Sequence, residues 1–235
     1  MMDKNAGKIA ILAKHKFYFE DVLTTLKDLK VEVSFFQTID EFLSQDEKEK
    51  KYFKFLFFPH YSKLIPKEII SEYVCIGFHT GNLPSDRGGS PIQNKILRGE
   101  YRTLVSALRL TEELDSGPIY CSRPVDLEFG DIESILKNIS VHISTMILEI
   151  IQTEIIPQPQ KGIPKYQSRL KQFNSELDLS ILNIKTLYDR IRMVDGLDYP
   201  PAYIIINNFK ITMKNAQLEN NKLKIIGTVE LNSLC

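Results

Sequence analysis

No Gly-x-Gly-x-x-Gly fingerprint follows the first apolar run of this chain: Lys8-Ile9-Ala10-Ile11-Leu12-Ala13 leads straight into Lys14-His15-Lys16-Phe17. A dinucleotide site needs those glycines so that backbone can approach a pyrophosphate, and their absence argues against hydride chemistry. Cysteine is scarce. Cys75, Cys121 and Cys235 are far apart, odd in number and form no Cys-x-x-Cys, which fits reduced thiols in a cytoplasmic protein better than a disulfide framework. No metal site is expected. No apolar run reaches the length of a membrane span and the N-terminus carries no apolar signal region, so no membrane contact is expected. Charge bias is absent as well: 30 Lys and Arg face 30 Asp and Glu. An extensive nucleic-acid surface carries a basic excess, so this balance argues against a nucleic-acid partner. There is no internal repeat.

What remains is an alternation of strand and helix. Lys8 to Ala13 reads as a short buried strand. Phe19 to Leu29 has apolar residues at helical spacing, and Val31 to Phe36 reads as a second strand. A brief helix, Ile39 to Leu43, precedes the charge run Asp46-Glu47-Lys48-Glu49-Lys50-Lys51, which reads as a solvated surface turn. Phe53 to Phe58 is a third strand ending at His60 and Tyr61, where α/β proteins place ligand contacts; a surface loop histidine is the plainer reading of His60. A helix from Pro66 to Ser71 leads to Val74-Cys75-Ile76-Gly77-Phe78, a buried strand that ends on His79. Next come the turn formers Thr80 to Gly89, then Ser90-Pro91 as helix cap and first helical residue, with the helix running to about Leu97. A strand near Leu104 to Leu110 enters Glu112-Glu113-Leu114-Asp115-Ser116-Gly117-Pro118, so one His and one Asp stand at two turns of the same sheet. Ile119 to Leu127 is a further strand and Asp131 to Ile156 a long helix. The pattern predicts an α/β fold, a Rossmann-like, mostly parallel sheet with helices on both faces.

Pro157 to Pro164 breaks that pattern and reads as the start of a linker. Beyond it come a helix, Ile184 to Met193, and apolar runs Tyr203 to Ile206, Phe209 to Met213 and Leu223 to Glu230, with turns at Asn207-Asn208 and Glu219-Asn220-Asn221. The expected division is a domain over 1–156, a linker over 157–183 and a small C-terminal β-rich appendage over 184–235.

The order His79, Leu83-Pro84, Arg87-Gly88, Asp115-Ser116-Gly117 resembles the folate-dependent formyltransferase family, whose members act on glycinamide ribonucleotide, methionyl-tRNA or nucleotide-linked sugars. The likeness runs from about Lys8 to Ile156. It departs from the family pattern at Gly77, where the family has an asparagine two residues before the histidine. The resemblance implies 10-formyltetrahydrofolate as co-substrate, with His79 and Asp115 as catalytic groups. A histidine suits this chemistry because it exchanges protons near neutrality, and a carboxylate beside it fixes its tautomer. Asn82 is the candidate to supply the hydrogen bond that Gly77 cannot give, with backbone amides of the glycine-rich loop, or loss of activity, as the alternatives. The pterin is expected against backbone at Ala107, Leu108 and Leu110, with Arg87 and Gly88 in the same binding region. Arg87 either contacts substrate or braces the loop through a carboxylate. His60 and Tyr61 are the candidate substrate contacts.

Ile191-Arg192-Met193 and Tyr199-Pro200-Pro201-Ala202 resemble the junction that follows the catalytic domain in sugar formyltransferases. With the balanced charge and short appendage, this favours a nucleotide-linked amino sugar as acceptor over methionyl-tRNA. A non-catalytic folate- or sugar-nucleotide-binding relative is a third reading, and homodimerisation is implied by resemblance alone.

Overall fold

A computed structural model of the chain describes residues 7–171, 175–180, 183–196 and 199–232. Cys235 and parts of the expected linker, 172–174 and 181–182, lie outside these residues. The elements in order are β1 (Lys8–Leu12), α1 (Phe17–Leu26), β2 (Val33–Phe36), α2 (Ile39–Leu43), α3 (Glu47–Lys50), β3 (Phe53–Phe58), α4 (Lys67–Glu72), β4 (Val74–Thr80) and β5 (Arg87–Gly88). They continue as α5 (Pro91–Leu97), β6 (Arg102–Arg109), β7 (Ile119–Asp126), α6 (Ile132–Gln152), β8 (Tyr166–Gln167), α7 (Ile184–Arg192), β9 (Tyr203–Ile206), β10 (Phe209–Glu219) and β11 (Lys222–Leu231). Two compact units interleave along the chain: 1–87, 104–125 and 137–166 form one, and 88–103, 126–136 and 167–235 form the other.

The first unit is organised around a six-stranded sheet in the order β2-β1-β3-β4-β6-β7. The strands β2, β1, β3 and β4 are parallel neighbours, while β6 runs antiparallel to β4. The sheet is therefore mixed on its β6 side, because the chain returns through the short helix α5 rather than a full crossover unit. The apolar strand runs explain the order: Ile9, Ile11, Leu12, Leu56, Phe57, Cys75 and Ile76 are all at most 2% exposed, as strands covered on both faces must be. One face packs Ala10, Leu12, Phe36, Phe42, Leu56, Phe58 and Cys75 into a single apolar cluster. The opposite ends of this logic are seen in α6, where Ile135, Leu136, Ile139, Ile143, Met146, Ile147 and Ile150 recur at three and four and are buried.

Three local expectations change. The charge run forms the one-turn helix α3, because the Asp46 carboxylate caps the Lys48 N–H at 2.8 Å. Ser90 does not cap α5 with its side chain; its backbone is left-handed and its hydroxyl accepts from Leu170 N at 3.1 Å instead. Helix α6 is long and apolar enough to cross a membrane by length and composition, contrary to expectation, and half of its most apolar window is buried within the protein.

In the second unit β9, β10 and β11 form a three-stranded antiparallel sheet, with β10 at its centre. Asn207 opens the β9–β10 turn and Asn220-Asn221 makes the β10–β11 turn, all three at positive φ, which asparagine tolerates.

Candidate active site

β4 delivers His79. The β3–β4 register pairs Phe58 with Gly77, so the carboxyl ends of the two strands, with His60 and His79 two residues further on, reach the same edge of the sheet. His79 is 7% exposed, and each of its ring nitrogens faces an oxygen from a different turn. Nδ1 lies 3.3 Å from Asp115 Oδ2, and Nε2 lies 2.6 Å from the Asp86 carbonyl oxygen. Both contacts become hydrogen bonds when both nitrogens carry hydrogen, the form in which the ring is a double donor.

The turn on the Nε2 side folds tightly over the ring. Asn82 N donates to Asp86 Oδ2 at 2.9 Å, and the Asn82 carbonyl accepts from Ser85 N (2.9 Å), Ser85 Oγ (2.7 Å) and Asp86 N (3.1 Å). Glycine is required at 81: a Cβ there would stand 2.9 Å from both His79 Nε2 and Asp86 Cβ. The Leu83–Pro84 peptide within this turn is cis.

The turn on the Nδ1 side carries Asp115 in a left-handed conformation, φ 52°. Thr111 Oγ1 and Ser116 Oγ both donate to the Glu113 carbonyl, at 3.0 and 2.9 Å. The turn then closes on β6: Arg109 N donates to Pro118 O at 2.9 Å, and a Cβ on Gly117 would stand 1.7 Å from the Arg109 carbonyl. Nothing larger than glycine fits there.

A third segment, expected to be linker, is built into the site. Gln158 exchanges two backbone hydrogen bonds with Ile119, each 2.8 Å, and Lys165 N donates to Pro84 O at 3.0 Å. Between them Gln160 Nε2 donates to the carbonyls of Asp115 (2.7 Å) and Gly117 (2.9 Å). Its Oε1 accepts from Arg87 Nε (3.2 Å) and Nη2 (3.0 Å). Arg87 Nη1 also reaches Glu113 Oε1 (3.1 Å) and the Tyr166 hydroxyl (3.2 Å). Of the two roles open to Arg87, the structure has it in the bracing one. The Tyr166 hydroxyl, with Arg87 beside it, holds the Glu113 carboxyl below its ordinary range. Among the described residues neither thiol competes for the chemistry: burial pushes Cys75 up to about 12 and Cys121 up to about 11, so both are protonated near neutrality.

The clefts of about 360 and 290 Å³ are lined by second-unit residues alone, Asp131, Asp195 and Asn215 in both. They carry no histidine and no His–carboxylate contact, so the candidate acid–base groups are those at the end of β4.

Residues 45–142 match the family profile described as formyl transferase, and residues 166–232 match that of the methionyl-tRNA formyltransferase C-terminal domain. The solved methionyl-tRNA formyltransferase from Clostridium thermocellum is 32% identical with a TM-score of 0.87, over 95% of this chain and 99% of that one. The chain belongs to the formyltransferase family. The methionyl-tRNA formyltransferase of Malacoplasma penetrans is 30% identical over 213 residues, 86% of this chain and 66% of that protein. Against other curated relatives the chain spans about half their length, 54% and 48% in two further cases. HypX from Aquifex aeolicus, solved in complex with tetrahydrofolic acid, shares the fold at 21% identity and a TM-score of 0.74, over 91% of this chain and 38% of that one.

In this formyltransferase-family chain the remaining expected residues fall in varied places. Gly77 is covered by hydrocarbon: a Cβ there would stand 2.6 Å from Leu110 Cδ2, so a side-chain donor at this position needs Leu110 to move. Asn82 is exposed, and its backbone builds the loop over His79. Ala107 and Leu108 are 0% and 1% exposed inside β6, with strands on either side taking their backbone groups, so the pterin backbone contact expected there has no surface to use. Leu110 lies at the rim, its N–H given to Cys75 O at 2.9 Å and its side chain packed on the apolar cluster. Gly88 sits at φ 99°, where a Cβ would meet Gln167 O at 2.6 Å; it serves close backbone approach. Tyr61 packs edge-on against Phe58, with ring centroids 5.3 Å apart, and its hydroxyl accepts from Ile39 N at 3.1 Å. Burial raises that hydroxyl above its ordinary range, which suits a packing role. His60 stacks on Tyr18 with centroids 6.5 Å apart. Asp86, Glu113, Gln160 and Tyr166 were not foreseen; their contacts run through backbone carbonyls and across long stretches of chain, which leave no motif.

Proposed function

We propose that this chain transfers a formyl group from 10-formyltetrahydrofolate to the amine of methionyl-tRNA. The observation that carries formyl transfer is the His79–Asp115 contact at the sheet edge. The acceptor rests on the likeness to the Clostridium thermocellum enzyme and on the match of residues 166–232. This reverses the acceptor order drawn from charge balance and admits a nucleic-acid partner. The same reading places the chain's work in the cytoplasm.

The donor supplies an activated formyl carbon, and the residues of this chain supply the rest. As the amine attacks, negative charge grows on the formyl oxygen and the new amine bond carries a proton to be removed. His79 is suited to both needs in turn: as a neutral ring it can accept the amine's proton, and the double donor so formed can hydrogen-bond the oxygen and then give the proton to the folate nitrogen as the formyl C–N bond breaks and tetrahydrofolate leaves. Asp115 keeps Nδ1 as the donor end and stabilises the charged ring. Nε2 is engaged by Asp86 O at 2.6 Å, so turnover requires this carbonyl to yield to the reacting oxygen. The Asn82 carboxamide, exposed on the same turn, is proposed as the second donor to that oxygen.

The test is a formylation assay with 10-formyltetrahydrofolate against methionyl-tRNA and a nucleotide-linked 4-amino-4,6-dideoxy sugar. Formyl-methionyl-tRNA as the product supports the proposal. The balanced charge keeps the sugar as second reading, and formylation of the sugar alone would install it. No formylated product from either amine would overturn formyl transfer itself.

A further inference from the structure

We infer that Gln160 is a positioning residue for the His79–Asp115 pair, an inference that rests on the proposed formyl transfer. Its carboxamide is fully used. Both N–H groups go to carbonyls of the Asp115 turn, at 2.7 and 2.9 Å, and the oxygen takes two N–H groups of Arg87, at 3.2 and 3.0 Å. The two sides of that amide correspond to the two sides of the imidazole. The carbonyls belong to the turn whose carboxylate meets Nδ1, and Arg87 directly follows Asp86, whose carbonyl meets Nε2. One planar group thus ties together the two turns that hold the ring.

The tie matters because neither turn is set by regular structure at the point of contact. Asp115 holds a left-handed backbone that an aspartate adopts only when its surroundings dictate it. The Asp115 carbonyl is the peptide group next to that strained residue, so fixing it fixes where the carboxylate points. Gln160 is itself anchored: two residues earlier Gln158 is paired to the first residue of β7. Geometry at a catalytic pair is worth a great deal, since a displacement of about 1 Å can cost about a hundredfold in rate.

The replacement Gln160→Leu removes both sets of hydrogen bonds. Gln160→Glu keeps the shape and the acceptor for Arg87, but removes the two donors to the turn. For each variant two quantities are read. One is the downfield proton NMR resonance of the His79 Nδ1–H against Asp115, assigned by its loss in Asp115→Asn. The other is the division of the rate loss between kcat and KM. Both variants are expected to lose the resonance and to lower kcat between about tenfold and a hundredfold with KM for the folate within about twofold. The circular dichroism spectrum should match that of the wild type. Gln160→Glu decides the matter if the leucine variant does not fold, and misfolding of both variants would also overturn the inference by making Gln160 a folding residue. Retention of the resonance, or a loss confined to KM, would overturn it too. The resonance is read on the free protein, so it stands or falls independently of which amine, if any, is formylated.

Discussion

Two acid–base pairs among the described residues are largely shielded from solvent, and they are built for opposite ends. Arg192 and Asp189, 1% and 5% exposed in their side chains, meet at 2.7 Å in the second unit. Arg192 also donates to Gly130 O at 2.9 Å and Leu127 O at 2.7 Å, while Asp189 accepts from the Tyr101 hydroxyl at 2.6 Å and from Lys185 Nζ at 3.1 Å. Two tyrosine rings, Tyr188 and Tyr101, lie 5.1 and 6.0 Å from the guanidinium. An arginine never loses its proton in such a place, and every polar atom is spent. The pair pins a loop and a helix end and can do nothing else. His79 and Asp115 are nearly as buried, 7% and 16% exposed, but here the base is an imidazole, whose ring nitrogens can each donate or accept a proton. Its contacts number one for each ring nitrogen, and each comes from a turn rather than from a helix or strand. Burial of a charged pair therefore does not by itself mark chemistry; a titratable partner with few, replaceable contacts does.

That contrast sets the predictions. At the proposed catalytic pair, Asp115→Asn should lower the formylation rate by roughly ten-thousandfold, as loss of the orienting carboxylate does in a Ser-His-Asp triad, with the melting temperature little changed. At the structural pair the outcome inverts: Arg192→Leu leaves Asp189 buried without its main partner and should destabilise the fold by about 3–5 kcal/mol in urea titrations, with kcat of the remaining folded protein near wild type. A rate-specific defect in Arg192→Leu would erase the distinction. Between these, Asn82→Ala should slow turnover by about a hundredfold if its carboxamide faces the reacting oxygen, while the Asn82 backbone bonds that close the turn over His79 remain available. Unaltered turnover would return that task to the backbone.

The smallest effect concerns a third pair of a mixed kind. Hydrogen bonds from Arg98 and Lys95 depress Glu100 from 4.5 to about 2. A carboxylate with a depressed pKa in the folded state adds stability above its unfolded pKa and loses it as pH falls through the folded one. The advantage of the wild type over Glu100→Gln should therefore be full above about pH 4.5 and vanish towards pH 2. With 46% of the Glu100 side chain exposed, the advantage should not exceed about 1 kcal/mol.

The sequence made the His79–Asp115 contact legible and the Arg192–Asp189 contact invisible, for physical reasons. His79 closes an apolar run and Asp115 sits in a Ser-Gly-Pro turn, so strand periodicity and turn chemistry place both at the sheet edge. The strands β1, β3 and β4 and the C-terminal turns at Asn207 and Asn220-Asn221 are read the same way. The direction of β6 is not, because antiparallel pairing to β4 depends on how the loop between them returns. Nor is Gln160, which sits in a Pro-Gln-Pro-Gln stretch with no periodic signal and works by grasping carbonyls. Arg192 enters the sequence reading only within Ile191-Arg192-Met193, the stretch likened to the sugar-formyltransferase junction; its partners include the carbonyls of residues 127 and 130, more than sixty positions away. The filling of the space at Gly77 by Leu110 also needs the fold, since it joins two strands at one point.

The measurement that bears most directly on the account is single-turnover formylation of methionyl-tRNA by wild type and by His79→Gln, each saturated with 10-formyltetrahydrofolate. The account predicts a loss of at least about a thousandfold in the chemical step with an unchanged unfolding transition. A His79→Gln protein that formylates within about tenfold of wild type would contradict it.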